Sequence, residues 1–235
     1  HNDLAMAVGF LNNNTAVSAG GKNKEILIWN IHNGEVQKRI EGVGQPVLNV
    51  AISGDTIAWS NSTDCTKHNC TGLQKSINLK DFKVTDLTSK NTMFTTIPTN
   101  QGHYSLSHTS GGEYQYEDAI LEVKKQGKLK ASLLKTSING YRHISYGWYA
   151  DFIISAGSNG QLKVYNKKGN EVASLVGHSG DIWSIALDGD RLVSGSEDQT
   201  IRVWDLSPLK ENRFKKNKVL TPMLNIFVAR DDEWV

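Results

Sequence analysis

Apolar and polar residues alternate along most of the chain in short runs, separated by turn-forming residues. Residues 177–205 contain three such runs, and a Gly- and Asp-rich turn at 188–190 separates the first run from the second. Alternation with a period of two is typical of strands with one buried face, and short breaks of this composition favour hairpins. This stretch therefore predicts three antiparallel strands.

The same pattern recurs at a regular distance, which indicates a repeat. Residues 152–165 align with residues 191–204 at an offset of 39 residues, so that Ser155 matches Ser194. Residues 17–29 repeat the pattern with one extra turn residue. A period near 40 residues is typical of propeller blades. We expect one continuous array of four-stranded sheets.

Residues 177–205 resemble a WD repeat, the unit of one β-propeller blade, in the Gly177-His178 pair, in Ser194 and Asp198, and in Trp204-Asp205. The resemblance implies an all-β chain, a β-propeller of the WD-repeat type. We expect about five four-stranded blades and the start of a sixth, in a fragment of a larger or closed ring. The predicted blades span 1–43, 44–90, 91–138, 139–176 and 177–220, and residues 221–235 are expected to begin the next.

Alternation also locates individual strands. The first blade is predicted to use residues 4–10, 16–19, 26–30 and 36–40. In the third blade alternation remains only at 119–123 and 129–133. The fifth blade offers three strands, and its outer strand cannot be assigned from the pattern.

Charge and composition narrow the classes of partner. The 235 residues include 26 basic and 24 acidic side chains, a net charge of +2, which indicates neither nucleic acid nor an anionic membrane as partner. The chain has no apolar run long enough to span a membrane. It begins at His1 without an initiator Met or a signal-like run, so we expect a segment of a longer protein, with a cytoplasmic rather than an exported location.

Ser194, His178 and Asp198 contain the ingredients of a hydrolytic triad, but we interpret them structurally. In WD repeats the matching residues form a buried hydrogen-bond chain, and by that resemblance Trp204 donates to Ser194, Ser194 to His178, and His178 to Asp198. A catalytic triad also needs an open pocket and an oxyanion site, which the sequence does not indicate. In the fourth blade Asn139 stands where His178 would, so we expect that blade to depend more on apolar packing.

The second blade contains an insertion with both cysteines of the chain, Cys65 and Cys70, and with His68 between them. Three interpretations stay open: a polar loop with free thiols, a local disulfide, or a metal site. Long loops are tolerated on rigid scaffolds, whereas a disulfide needs an oxidising compartment. A zinc site needs a fourth ligand at a suitable spacing. We predict no metal and no cofactor, and we name Cys65 and Cys70 as a candidate disulfide.

Two tyrosines in the third blade, Tyr114 and Tyr116, are candidate binding anchors, because tyrosine is enriched at interfaces where one end is apolar and the other is wet. The basic run at 210–218 is interpreted as a solvated linker rather than a phosphate-binding segment.

WD-repeat propellers generally act as non-catalytic platforms, so the resemblance implies a protein-interaction, scaffold or sensing module with a protein or peptide partner. Residues 222–235 resemble a segment of bacterial proteins that join such a propeller to a caspase-like peptidase, which implies a bacterial source and control of an attached peptidase. Unpaired edges at an open end favour edge-to-edge self-association. The alternative is a propeller enzyme or metal-binding protein with its site in the central channel or at the Cys65–Cys70 loop.

Overall fold

The alternating runs fold into β-strands throughout the part of the chain that the computed structural model describes, which is residues 5–20, 25–42, 44–61, 73–87, 95–109, 120–133, 142–211 and 218–228. The strands in chain order are β1 (Ala5–Asn12), β2 (Thr15–Gly20), β3 (Glu25–Asn30), β4 (Val36–Ile40), β5 (Asn49–Ser53), β6 (Thr56–Ser60), β7 (Lys75–Asn78), β8 (Val84–Asp86), β9 (Asn100–Gln101), β10 (Tyr104–Thr109), β11 (Ile120–Lys125), β12 (Lys128–Leu133), β13 (His143–Tyr149), β14 (Phe152–Gly157), β15 (Leu162–Asn166), β16 (Glu171–Leu175), β17 (Ile182–Asp188), β18 (Arg191–Ser196), β19 (Thr200–Asp205), β20 (Lys218–Leu220) and β21 (Leu224–Phe227).

The strands form five sheets that follow the predicted blades. The first, second and third sheets consist of β1–β4, β5–β8 and β9–β12, each an antiparallel series in chain order. The fourth sheet has the order β13-β14-β15-β16-β20, and the fifth has the order β17-β18-β19-β21. The prediction of an all-β chain of propeller blades is confirmed. The third sheet also contains β9 and β10, two strands that the alternation had not located.

The last described segment completes existing sheets. β20 pairs in parallel with β16, and β21 pairs antiparallel with β19, with Ile226 opposite Ile201. The sequence predicted the strand at 224–227 as the beginning of a sixth blade, whereas in the structure it is the outer strand of the fifth sheet. The physical reason is that β19 would otherwise present an unpaired edge, and Ile226 is fully buried there. Residues 229–235 lie outside the described part of the chain.

The chain divides into two compact units, although the sequence predicted one continuous array. Among the described residues, the first unit contains those up to 44, which is the first sheet, and the second unit contains residues 45–228. Within the second unit the sheets do not pack in chain order. Shared apolar clusters join the second sheet to the fifth, the fifth to the fourth, and the fourth to the third.

The segment before β9 explains how the chain reaches this order. Thr95 bonds to the carbonyl oxygen of Ile52 in the second sheet, and its hydroxyl also donates to the carbonyl oxygen of Leu187 in the fifth. Three residues later, the carbonyl oxygen of Pro98 accepts from Trp148 N–H in the fourth sheet at 2.7 Å. The chain therefore crosses from the second sheet over the fifth and the fourth before it enters the third.

A glycine sets the close approach of the second and fifth sheets. A Cβ atom added at Gly195 would lie 2.6 Å from Val47 Cγ1 and 2.7 Å from Val50 Cγ1. Polar bonds continue the contact, because Ser184 Oγ donates to Asn49 Oδ1 at 3.1 Å. This packing buries the apolar faces of both sheets and fixes their relative position.

Candidate functional site

The predicted Ser–His–Asp–Trp set of the fifth sheet meets in one hydrogen-bonded chain. Trp204 Nε1 donates to Ser194 Oγ at 2.9 Å, and His178 Nε2 lies 2.7 Å from the same oxygen. His178 Nδ1 lies 2.8 Å from Asp198 Oδ2. Ser194 comes from β18 and Trp204 from β19, while His178 comes from the loop before β17. The chain of bonds therefore ties this loop to two strands of the same sheet.

The positions of the protons follow from which groups can donate and which can accept a hydrogen bond. An indole N–H only donates, so Ser194 Oγ accepts from Trp204 and its own proton is directed to His178 Nε2. His178 then carries its proton on Nδ1 and donates it to Asp198. If His178 were doubly protonated, the Ser194 hydroxyl would lose its acceptor in a fully buried position. The geometry thus favours a neutral imidazole and an ionised carboxylate.

The pKa shifts of His178 and Asp198 also favour a neutral imidazole and an ionised carboxylate. Burial lowers the pKa of His178 below 6.5, and this effect outweighs the opposing hydrogen bond to Asp198. Burial alone would raise the pKa of Asp198, but hydrogen bonds from His178, Thr200 and Ser179 bring it well below its ordinary value of 3.8. At neutral pH the pair therefore holds one buried negative charge that several donors stabilise.

Local sequence explains why His178 reaches this position. Asp198 lies in the turn between β18 and β19, where it also accepts from the backbone N–H of Ser179 at 3.0 Å and of Thr200 at 3.0 Å. Gly177 lies close to β19, since an added Cβ would lie 3.3 Å from Trp204 Cη2. The turn that contains Asp198 therefore holds both the His178 ring and the backbone N–H of the next residue, Ser179.

This arrangement does not present a hydrolytic site. Ser194 has no exposed surface, and both of its neighbours in the chain of bonds are buried. Two surface cavities, of about 360 and 290 Å³, are lined by other residues. Among the residues that the structure describes, no cluster of three metal-ligating side chains occurs. The chemistry of the set is to hold the blade together, because every polar group in it has a partner.

The fourth sheet contains a histidine that sequence reasoning missed. His143 Nδ1 lies 2.6 Å from Ser155 Oγ, and His143 Nε2 lies 3.0 Å from the carbonyl oxygen of Leu133. The predicted substitute for His178, Asn139, lies outside the described residues. His143 stands in β13 at the position that Ile182 occupies in β17, so the alignment at 39 residues hid it. The signal available in the sequence was a histidine 12 residues before the repeat serine, Ser155.

The first and second sheets retain less of the set. Trp29 Nε1 donates to Ser18 Oγ at 2.7 Å, as the alignment of these two residues with Trp204 and Ser194 suggested. In the second sheet Trp59 does not take the place of Trp204, because it aligns with Val193, and its buried Nε1 has no partner among the described residues. The remaining candidates, Tyr114, Tyr116, Cys65 and Cys70, lie outside the described part of the chain and stay predictions.

An exposed aromatic side chain lies at the same end of the fifth sheet as His178. Trp183 is 38% exposed, and its Nε1 donates to Glu197 Oε2 at 3.1 Å. The backbone N–H of Glu197 donates to the carbonyl oxygen of Asp181, and the Asp181 carboxylate pairs with Arg142 at 3.2 Å. We call these four residues, Trp183, Glu197, Asp181 and Arg142, the Trp183 patch. It spans the junction of the fourth and fifth sheets.

Basic residues of the predicted linker at 210–218 contact the sheets. Lys210 Nζ bonds to Asp190 and lies 5.0 Å from the centre of the Tyr149 ring, and Lys218 begins β20. Residues 212–217 lie outside the described part of the chain. Within the described part, the structure contains no helix long and apolar enough to cross a membrane.

Comparison with known proteins identifies the repeat. Residues 169–205 match the family WD40, described as WD domain, G-beta repeat. The WD repeat-containing protein pop1 of Schizosaccharomyces pombe is 44% identical over 57 residues, which are 24% of this chain and 7% of that protein. The serine-threonine kinase receptor-associated protein of Rattus norvegicus is 24% identical over 216 residues, which are 87% of this chain and 55% of that protein.

A solved structure, the β-propeller domain of Cps50 (Swd1) from Myceliophteria thermophila, matches at 14% identity with a TM-score of 0.42, covering 94% of this chain and 71% of that chain. The chain spans about half or less of the length of the two curated relatives. The two curated relatives come from eukaryotes, so they do not support the predicted bacterial source. They also do not show the predicted link to a caspase-like peptidase.

Proposed function

Because this all-β chain carries a WD40 repeat at residues 169–205 and is built of propeller blades of that type, we propose that it is a non-catalytic platform that binds other proteins or peptides. The observation that carries the proposal is the contrast between the interior and the surface of the fifth blade. Ser194, His178 and Asp198 bond to one another in a buried structural network, whereas Trp183 is partly exposed on the surface of the blade.

The Trp183 patch has the properties of a protein-binding anchor. Tryptophan is enriched among residues that dominate binding energy, and such residues act best when they are already fixed in place. The bond from the indole N–H to Glu197 fixes the ring, and 38% of the side chain stays accessible. The Arg142–Asp181 pair at its side supplies charges that select among partners.

The relatives support a protein as the partner class. The name of the Rattus norvegicus relative states that it associates with a receptor kinase, and we extend to this chain only the general property of protein binding. Two finer proposals come from the sequence: Tyr114 and Tyr116 as a second binding surface, and control of an attached caspase-like peptidase in the parent protein.

The proposal is tested by affinity capture with three baits: the wild-type chain, Trp183→Ala and Phe82→Ala. Phe82 is the matched control, because it is an aromatic residue of the second sheet's turn that is 37% exposed. We expect at least one protein that is captured by the wild type and by Phe82→Ala, and that Trp183→Ala loses at least tenfold. A Tyr114→Ala/Tyr116→Ala bait tests the second surface in the same experiment.

Two results would contradict the proposal. One is that no captured protein depends on either surface. The other is hydrolytic activity of the wild-type chain towards a panel of ester and peptide substrates that Ser194→Ala abolishes, because this would make the buried set catalytic rather than structural.

A further inference from the structure

Four lysines lie together where turns of the third and fourth sheets meet. The turn between β11 and β12 consists of Gln126 and Gly127, both with positive φ, and Lys125 lies opposite Lys128 on the same face of the third sheet. A two-residue turn of this kind fixes the register of the strands on either side of it. Lys125 and Lys128 are therefore held side by side, and both are exposed.

The turn between β15 and β16 brings two more lysines to this position. Gly169 lies against β12, since a Cβ atom added to it would lie 3.2 Å from the nearest side-chain atoms of that strand. Lys167 and Lys168 directly precede this glycine. Lys167 Nζ lies 5.1 Å from the centre of the Tyr104 ring, and Lys125 Nζ lies 5.4 Å from the same point. We call Lys125, Lys128, Lys167 and Lys168 the lysine patch.

The lysine patch is short of negative charge. Lys167 pairs with Asp151 at 2.6 Å, and within the described ranges no other carboxylate forms an ion pair with the patch. A lysine on the other face of the third sheet differs in this respect, because Lys124 pairs with Glu122 at 2.7 Å. Four ammonium groups and one carboxylate give the patch a net charge of +3, whereas the net charge of the whole chain is +2.

We propose that the lysine patch binds an acidic segment of a partner protein, a stretch of extended chain that carries several Asp or Glu side chains. Like charges in one patch repel one another, and a ligand of opposite charge relieves this repulsion while its own carboxylates gain partners. The inference rests on the proposed function, because the ligand is part of a protein, but it concerns a surface other than the Trp183 patch.

The residue types in the patch favour carboxylates over nucleic acid. Its cations are all lysines, whereas arginine is the residue that reads bases and holds phosphates with two parallel hydrogen bonds. Single-stranded nucleic acid also needs aromatic rings on which its bases stack. The ring of Tyr104 already contacts two ammonium groups, and its centre lies 5.8 Å from that of the Trp148 ring. The patch therefore offers cations without a stacking platform.

A membrane surface also matches the patch less well. Peripheral membrane binding combines basic residues with exposed apolar side chains that enter the lipid. Leu129 is the exposed apolar residue next to Lys128, but it pairs with Lys124 and so lies on the opposite face of the third sheet. The lysines would therefore meet lipid headgroups without an apolar anchor beside them.

The test uses a small probe with the whole purified chain, so it does not depend on finding the partner. Acetyl-hexaglutamate amide is titrated at about 20 mM salt in NMR experiments that follow the backbone amides of Gly127 and Gly169, one in each turn. We expect saturable shifts of both amides with a dissociation constant of about 1 mM or less. Acetyl-hexaglutamine amide, which has the same length and no charge, should bind at least roughly tenfold more weakly.

Charge reversal assigns the binding to the patch. Lys125→Glu/Lys168→Glu should weaken binding of the hexaglutamate probe by at least roughly tenfold. The matched control is Lys38→Glu/Lys83→Glu, which changes the net charge by the same amount at two exposed lysines of the first and second sheets, and it should weaken binding by roughly twofold at most. All four positions are exposed, so both variants should keep the melting temperature of the wild type.

The proposal is overturned if the hexaglutamate probe gives no saturable shifts, or if the patch variant and the control variant weaken its binding equally. It is also overturned if a deoxythymidine hexanucleotide, or vesicles of phosphatidylcholine and phosphatidylserine, bind the patch more tightly than the probe at the same salt. Each of these results leaves the proposed function standing if a captured partner still depends on the Trp183 patch. Conversely, probe binding without any captured partner supports the lysine patch and counts against the platform.

Discussion

Replacing Ser194 with alanine removes the hydroxyl at the centre of the buried network. Trp204 Nε1 then loses its acceptor and His178 Nε2 loses its donor, and Ser194 and Trp204 have no exposed surface through which water could replace them. A buried group left without a partner costs about 1–3 kcal/mol, so the two together should destabilise the fold by about 3 kcal/mol. For a unit of this size that lowers the melting temperature by about 6–12 °C.

The assay must respect the division of the chain into two compact units, since unfolding of the whole chain need not be two-state. We therefore propose urea titrations read by hydrogen exchange of peptides that cover residues 191–205. The matched control is Ser174→Ala, which removes a hydroxyl that bonds to the exposed Glu171, and it should cost less than about 0.5 kcal/mol.

A double-mutant cycle separates the orphaned groups from simple loss of packing. Trp204→Phe removes the indole donor, so adding Ser194→Ala to it orphans only His178. The double variant should therefore be about 1–2 kcal/mol less destabilised than the sum of the single variants. The reasoning is refuted if Ser194→Ala costs no more than Ser174→Ala, or if the cycle is additive.

Three further predictions follow from the same structure. Because burial holds the pKa of His178 below 6.5, the unfolded chain binds a proton that the folded chain does not. The free energy of unfolding should therefore rise with pH up to about 6.5 and then level off. Urea midpoints of His178→Gln should lack this rise, and an equal slope in both proteins would refute the assignment. Gly195→Ala places a Cβ 2.6 Å from Val47 Cγ1 and should cost about 1–3 kcal/mol, whereas Gly9→Ala should cost little, because among the described residues the nearest atom to its Cβ would be Val17 Cγ1 at 3.9 Å. Similar thermal shifts for the two variants would count against the packing of the second sheet on the fifth. Removing residues 218–235 exposes the outer edges of β16 and β19. Light scattering should show that the truncated chain associates with rising concentration more than the full chain does. A truncated chain that stays monomeric would contradict this prediction.

Much of the fold was predictable because the alternation of apolar and polar residues determines where most strands form. Alternation with turn residues located β2, β3 and β4 within a residue, and the 39-residue offset aligned Ser155 with Ser194. The network of the fifth sheet was predictable from resemblance, since its four residues stand at fixed places in the repeat. These are local signals, in which neighbours in sequence determine the structure.

The rest depends on contacts between distant segments. Lys218–Leu220 is a short run after a polar stretch, and only the open edge of β16 makes it a strand. The second sheet packs on the fifth where Gly195 faces Val47. A contact between residues so far apart in the chain leaves no periodic pattern in the sequence. The bond of His143 to Ser155 escaped notice because the histidine lies in a strand rather than in the preceding loop.

We propose that this chain binds a protein through surface anchors held on a structural, non-catalytic scaffold. Calorimetry of a purified captured partner with the wild type, Trp183→Ala and Phe82→Ala tests this binding. We expect the affinity to fall at least tenfold for Trp183→Ala and to stay unchanged for Phe82→Ala. Equal affinities for all three proteins would contradict it.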